Sequence, residues 1–360
     1  MEVLVAGWVG STNLGDELVF SALRRRLAAL GAGVSAVSVA PAATAADHGV
    51  ATVDHHDVAG LVRAGRRSAA VVLGGGGLLQ DRTSAVNVPY HLARVVPARL
   101  AGTPLGVVAI GAGPLQGRGA RALVRAALAG SAVVTARDRP SAELLSRLGV
   151  QPVEVTADLA LSLPLPEAPV ADRLVVCLRP WTTRRGRLPV ALGRAGEVAP
   201  WFVAGAAAAL DAAAAATGLA VHFVALQGDR DGPLHDQVAE RMSSPATAAR
   251  PGLDEVVGEV ARARVVVAMR YHALVAAVLG GRPALSLGYD PKVDALAGEL
   301  GPGAVAFGAD QAGLAALPAA VEALAGAGHE AAEAAVADAR GRLRLREEGN
   351  GAALERLLSA

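Results

Sequence analysis

The sequence predicts two doubly wound α/β domains facing a cleft. Three observations carry this. Short β-branched runs alternate with longer Ala/Leu/Arg segments along the chain, the rhythm of parallel sheets with helical crossovers. Residues 162–172 read SLPLPEAPVAD, and this proline-rich span favours an extended linker, behind which the rhythm restarts. A length of 360 residues suits two domains of ordinary size rather than one. The expected units are 1–165, 166–345 and a C-terminal helix or tail, 346–360.

In order along the chain, residues 3–6 form a short apolar strand. Residues 16–30 have helical periodicity and stop at Gly31 and Gly33. Further strands are expected at 34–39, 69–73, 105–110 and 132–136. A helix is expected at 120–128, and another runs from Pro140, well placed in a first turn, to 148. A short strand ends at residues 156–158. Beyond the linker, strands fall at 174–178, 220–226, 265–269 and 284–287. Helices fall at 202–216, 253–262 and 272–279, and Ala-rich closing helices follow residue 308.

Composition excludes several classes. Lysine and arginine total 34 against 33 acidic residues, so no strong field draws in nucleic acid. Basic clusters at 24–26, 63–67 and 184–187 are read as solvated faces, with an anionic acceptor or membrane surface as the functional alternative. The chain is 52% hydrophobic but only 3% aromatic, so Ala, Val and Leu must fill its cores. The one cysteine, Cys177, permits no intrachain disulfide and no cysteine metal pair. The pair His55 and His56 has no second ligand at helical or strand spacing, so no metal is expected. Residues 1–6 lack the features of a secretory signal. The most apolar long stretch, 201–226, holds Asp211, Gly218 and His222 and reads as a helix and a strand rather than a membrane span. The expectation is a cytoplasmic protein whose only membrane contact is peripheral, at the inner face.

Five clusters carry the candidate chemistry, each at the carboxyl end of an expected strand, where open α/β sheets bind ligands. Residues 7–17 (GWVGSTNLGDE) place Asn13, Gly15 and Asp16 at a strand-to-helix turn. Backbone amides there make an anion site, with Asn13 or Asp16 as cap. Residues 72–81 (VLGGGGLLQD) hold four successive glycines, including Gly75, Gly76 and Gly77. So many in a row predict close approach of a ligand or of the first loop. Residues 137–141 (RDRPS) offer Arg137 and Arg139 for bidentate contact with phosphate or carboxylate, and Asp158 ends a strand nearby. Residues 270–273 (RYHA) bring Arg270, Tyr271 and His272 to the end of an apolar strand, where polar groups are costly unless they face a polar cleft. Residues 289–293 (YDPKV) follow, with Lys292, the sole lysine of an arginine-using chain.

These pieces, in this order, resemble the polysaccharide pyruvyl transferase family and within it the bacterial cell-wall branch. The resemblance runs from residue 6 to about 300. It implies two Rossmann-like domains in a GT-B-like arrangement. It also implies phosphoenolpyruvate as donor, no other cofactor, and a pair of sugar hydroxyls as acceptor, with N-acetylmannosamine in a cell-wall polymer, on a lipid-linked glycan, the family-level expectation and a galactose or glucose ketal the alternative. Mapped by motif, Arg137, His272 and Lys292 are implied in donor binding and catalysis, with Arg139 the competitor for the role of Arg137. His272 would serve as general acid, and Asp16 or Asp158 as base. The basic stretch 179–194 matches no family motif and is the candidate for acceptor specificity. The rival readings are a nucleotide-sugar glycosyltransferase of the same plan, for which no ribose carboxylate is evident, and a non-catalytic glycan-binding relative.

Overall fold

A computed structural model gives the structure of residues 1–82, 84–180, 198–288 and 291–359. Most of the basic stretch 179–194, and Tyr289 and Asp290 of the YDPKV motif, lie outside the described residues.

The first sheet is built from β1 (Glu2–Val9), β2 (Gly33–Ser38), β3 (Ala51–Asp54), β4 (Ala70–Leu79), β5 (Leu105–Ala112), β6 (Val133–Ala136) and β7 (Glu154–Val155). Its order is β3-β2-β1-β4-β5-β6-β7, and every pairing is parallel. The second sheet holds β8 (Arg173–Cys177), β9 (Ala220–Val224), β10 (Ala246–Ala249), β11 (Val265–Ala268), β12 (Ala284–Gly288) and β13 (Ala304–Gly308). Its order, β10-β9-β8-β11-β12-β13, is also wholly parallel. Strands covered on both faces must be apolar throughout, which is why the central ones read as Val/Ala/Leu runs. In each sheet the chain order reverses once, between β1 and β4 and between β8 and β11, and each reversal opens a crevice at the strands' carboxyl ends.

Helix α1 (Leu14–Ala29) connects β1 to β2. Helices α2 (Pro41–His48), α3 (Val58–Arg67), α4 (Asn87–Ala93), α5 (Val96–Leu100), α6 (Arg118–Leu128) and α7 (Arg139–Arg147) complete the first domain. A 3₁₀ turn, Leu159–Ser162, precedes the proline-rich connection to β8. The second domain carries α8 (Pro200–Thr217), α9 (Gly228–Ala239), α10 (Val256–Ala261), α11 (Tyr271–Gly280), α12 (Pro291–Glu299) and α13 (Gln311–Ala325). Among the described residues, α8 is the one helix long and apolar enough to cross a membrane, and it lies against α13 and α9.

One hydrophobic cluster crosses the domain boundary. It joins Val5, Val19 and Val72 of the first domain to Val175, Leu274 and Val293 of the second. Separate clusters fill the outer face of each sheet.

One expectation needs correction. The strand expected at 69–73 runs on through the glycines to Leu79, with a register shift after Gly76. Gly75 and Gly76 take φ values of 68° and 86°, which only glycine adopts without strain. The C-terminal helix offered for 346–360 is, over its described residues 346–359, the last part of α14 (His329–Ser359), a single helix about 46 Å long. Its first half lies on the second domain, where Arg340 Nη1 donates to Leu279 O at 3.0 Å. Its second half returns to the first, where Leu357 packs on Gly106 so closely that any added methyl would overlap it.

Two buried histidines set an acid limit on the fold. His235 donates Nε2–H to Leu178 O at 3.0 Å and stacks on Phe223. Burial pushes its pKa down to about 4, and burial with the neighbouring Arg94 pushes that of His91 to about 3. In the unfolded chain both bind protons near 6.5. Their contribution to stability is therefore complete above pH 6.5 and is lost as the pH falls toward those folded values. The thermal midpoint is expected to drop between pH 7 and pH 5, and to drop less steeply in His235→Gln. Equal slopes in thermal unfolding would contradict this.

Candidate active site

The turn between β1 and α1 is not an open anion cradle. The amides of Gly10 and Ser11 donate to Glu17 Oε1 at 2.9 and 3.0 Å, and Glu17 Oε2 meets His48 Nε2 at 2.9 Å. The Gly15 amide donates to Asn13 Oδ1, which caps the helix. The Leu14 amide donates at 2.8 Å to Leu226 O, at the end of β9 in the other domain. Protein acceptors thus occupy the donors that the sequence offered to a ligand. Gly15 has its own reason to lack a side chain. A methyl there would lie 2.2 Å from His272 Nδ1, so the glycine lets the second domain's imidazole rest on the first turn of α1.

The four glycines of β4 divide by what faces them. A methyl on Gly75 would overlap Val19 of α1, so this glycine serves helix–sheet packing. One on Gly76 would stand 3.3 Å from Asp16 Oδ1. One on Gly77 would stand 3.5 Å from both Arg137 Nη2 and Lys292 Nζ. Gly77 is therefore the floor beneath two cations supplied by opposite domains.

Arg137, at the end of β6, is almost fully buried. Its Nη1 donates to Asp158 Oδ2 at 3.2 Å, its Nε lies 3.5 Å from Asp138 Oδ2, and its guanidinium stacks 4.1 Å from the centre of the Tyr271 ring. Gly111 of β5 lies beneath it, and a methyl there would press on the guanidinium at 3.0 Å. Asp158 caps the 3₁₀ turn through Ala160 N, and His272 Nε2 stands 3.6 Å from the same Oδ2. Burial would raise the pKa of this carboxyl, but His272 and Arg137 outweigh it and hold it below the usual range. Neither Arg137 Nε nor His272 Nε2 makes a hydrogen bond among the described residues. Lys292, in the first turn of α12, is partly buried and lines the same crevice as Arg137, Asp158 and Tyr271. Glu299 and Arg346, paired at 2.9 Å, stand along its wall.

Asp16 is held by the Asn13 side chain and lies near both His272 and Lys292. Burial nevertheless raises its pKa above the normal carboxylate value.

Two expected site residues are placed differently. Arg139 begins α7 and is exposed. Arg270 is buried in a two-pronged pair with Asp231 and also reaches Gln227 Oε1 at 3.1 Å. Gln227 Nε2 then donates to Thr12 Oγ1 across the domain boundary at 2.9 Å. Arg270 thus braces the interface, and its charge is already answered. Gly111, Asp231 and Gln227 were absent from the sequence reading. Only Gly111 carried a signal, as a glycine after an apolar strand in the run IGAG.

Comparison with known proteins agrees with this architecture. The family model for polysaccharide pyruvyl transferase matches residues 13–291. No curated protein matches the chain by sequence. By structure the chain is similar to the UDP-GlcNAc 2-epimerase of Neisseria meningitidis bound to UDP-GlcNAc, with TM-score 0.62, 12% identity and all of both chains covered. It is also similar to the glycosyltransferase VinC in complex with dTDP, with TM-score 0.59, 14% identity and full coverage of both chains. The glycosyltransferase SnogD from Streptomyces nogalater matches with TM-score 0.53 and 16% identity over 99% of each chain. At such identities the likeness shows the fold, the GT-B arrangement of two facing domains.

The two readings of the β4 glycines separate experimentally. Gly75→Ala is expected to cost about 1–3 kcal/mol through overlap with Val19 and the unfavourable φ. Gly77→Ala meets only ordinary contacts and is expected to keep its thermal midpoint near the wild-type value. Equal destabilisation of the two variants would remove the distinction.

Proposed function

The chain belongs to the polysaccharide pyruvyl transferase family, and from that premise we propose that it moves a pyruvyl group from phosphoenolpyruvate onto two hydroxyls of a sugar. The acceptor on this reading is a cell-wall or exopolysaccharide precursor, a lipid-linked glycan containing N-acetylmannosamine, met at the inner face of the membrane. The observation that carries the reading is the meeting of Arg137 and Lys292 above Gly77, one cation from each domain, beside the His272–Asp158 pair. Phosphoenolpyruvate carries a phosphate and a carboxylate on one small enol, and two fixed cations at short range match it.

In this mechanism His272, oriented by Asp158, protonates the methylene carbon and makes C2 electrophilic. One sugar hydroxyl adds at C2. The bond from C2 to the phosphate oxygen then breaks, with Lys292 and Arg137 balancing the departing charge. The second hydroxyl adds at C2 and closes the ketal. Of the two hydroxyl protons released, one remains in the new methyl group and the other leaves on hydrogen phosphate.

Asp158 is a poor base, because two partners hold its carboxylate in the charged form. Asp16 is the better one. Burial raises its pKa, and it stands between His272, Lys292 and the β4 bulge. Arg137 takes precedence over the exposed Arg139 for the donor.

The test is release of inorganic phosphate from phosphoenolpyruvate in the presence of a glycan acceptor. Arg137→Ala, His272→Ala and Lys292→Ala are each expected to lower kcat/KM by about 10²–10⁴-fold; Lys292→Ala should keep its thermal midpoint, whereas the other two fold with a lowered one because each leaves the buried Asp158 carboxylate a partner short. Near-normal release by His272→Ala, or turnover of a nucleotide sugar instead of phosphoenolpyruvate, would overturn the reading. Asp16 must be deprotonated to act, so kcat should rise with pH through its raised pKa. That acid limb should vanish in Asp16→Asn, and its persistence in a pH–rate profile would reject Asp16 as base.

A further inference from the structure

We infer that Asn350, on the C-terminal helix and outside the crevice, is the residue that sets the separation of Arg137 and Asp158. The inference deepens the proposed function and rests on it for the activity readout.

Asn350 is completely buried. Its Nδ2 donates to Ala157 O at 3.0 Å, and a carbonyl can only accept, which fixes the orientation of the amide. Oδ1 therefore faces the hydroxyls of Thr135 and Thr156 and accepts from them at 2.7 and 2.8 Å. All three partners adjoin the site. Thr135 lies two residues before Arg137, Thr156 two before Asp158, and Ala157 immediately before Asp158. One side-chain amide thus ties the ends of β6 and β7 at the points from which the two charged groups project.

The tie extends to a third strand. Thr135 Oγ1 accepts the amide of Ala109 at 2.7 Å. Ala109 holds a φ of 48°, a conformation that a non-glycine residue keeps only where its surroundings enforce it. Two residues on, Gly111 lies directly beneath the Arg137 guanidinium. Asn350 thus underpins the partner of Arg137, the strand that carries it and the strand beneath it.

The helix that supplies this amide starts on the other domain, and its Leu343 and Arg346 line the crevice. Arg26 of α1 pairs with Glu347 one turn before Asn350, fixing the helix where the amide enters. A conventional role in stability would need only that the buried threonine hydroxyls be satisfied. The chosen partners instead fall within two residues of both charged groups.

The experiment is a double-mutant cycle between Asn350→Ala and Arg137→Lys, with Asn350→Ser as a milder second variant should alanine impair folding. Each is measured by kcat and KM for phosphoenolpyruvate and by calorimetric titration of inorganic phosphate. Asn350→Ala is expected to raise KM and weaken phosphate binding by about 10- to 100-fold, the scale of a misplaced binding group. In the Arg137→Lys background the same change should add almost nothing, because the two residues act through one another. Fully additive losses would reduce Asn350 to a structural residue and overturn the proposal. If the wild-type protein releases no phosphate from phosphoenolpyruvate, the donor reading fails, and the cycle is read from phosphate titration alone. A crystal structure of Asn350→Ala decides the case if phosphate does not bind. An Arg137–Asp158 separation beyond 4 Å supports the role, and an unchanged separation overturns it.

Discussion

A single buried carboxylate, that of Asp158, faces basic side chains from two domains. Arg137 reaches it from the first domain and His272 from the second, at 3.2 and 3.6 Å. Burying a charge is expensive unless partners surround it, and removing one partner of such a pair is more damaging than never having built it. The domains must therefore meet closely enough for both side chains to arrive. Gly15 makes that approach sterically feasible, and the Leu14–Leu226 hydrogen bond fixes its height. The shared apolar cluster then seals the remaining contact from water.

This arrangement gives each conspicuous polar group a distinct duty. Glu17 holds the first turn together, and the Arg270–Asp231 pair carries Gln227 toward Thr12. Neither is left free to meet a small anion. Among the described residues the Nε of Arg137 and the Nε2 of His272 make no hydrogen bond, and the bare backbone of Gly77 lies alongside.

The plan of two parallel sheets was legible because central strands must be apolar on both faces, so their signal is strong. The edge strands β3 and β10 escaped for the converse reason. Their residues are half-covered or exposed, and neither shows an apolar run. Arg137, His272, Lys292 and Asp158 were readable as site candidates because each ends a strand or begins a helix. The duties of Arg270 and Gly75 were not readable, since they depend on Asp231 and Val19, residues remote in sequence that only folding brings near. Asn350 left no signal at all. A single asparagine in a long polar helix gains meaning only from the two threonines it meets about 200 residues upstream.

The path of α14 has a consequence for modularity. The two halves look like exchangeable units joined by a proline-rich hinge, and shuffling them at residues 162–172 would be the natural way to build hybrids with new acceptors. Yet the last turns of the chain are a structural part of the first domain, packed on Gly106 and bonded to Thr135 and Thr156. A crossover in the hinge alone would give the first domain a foreign helix in place of its own. A working hybrid needs two junctions, with the segment from about Leu343 onward travelling with the domain it completes. Lineages that recombined such domains would have inherited the same restriction.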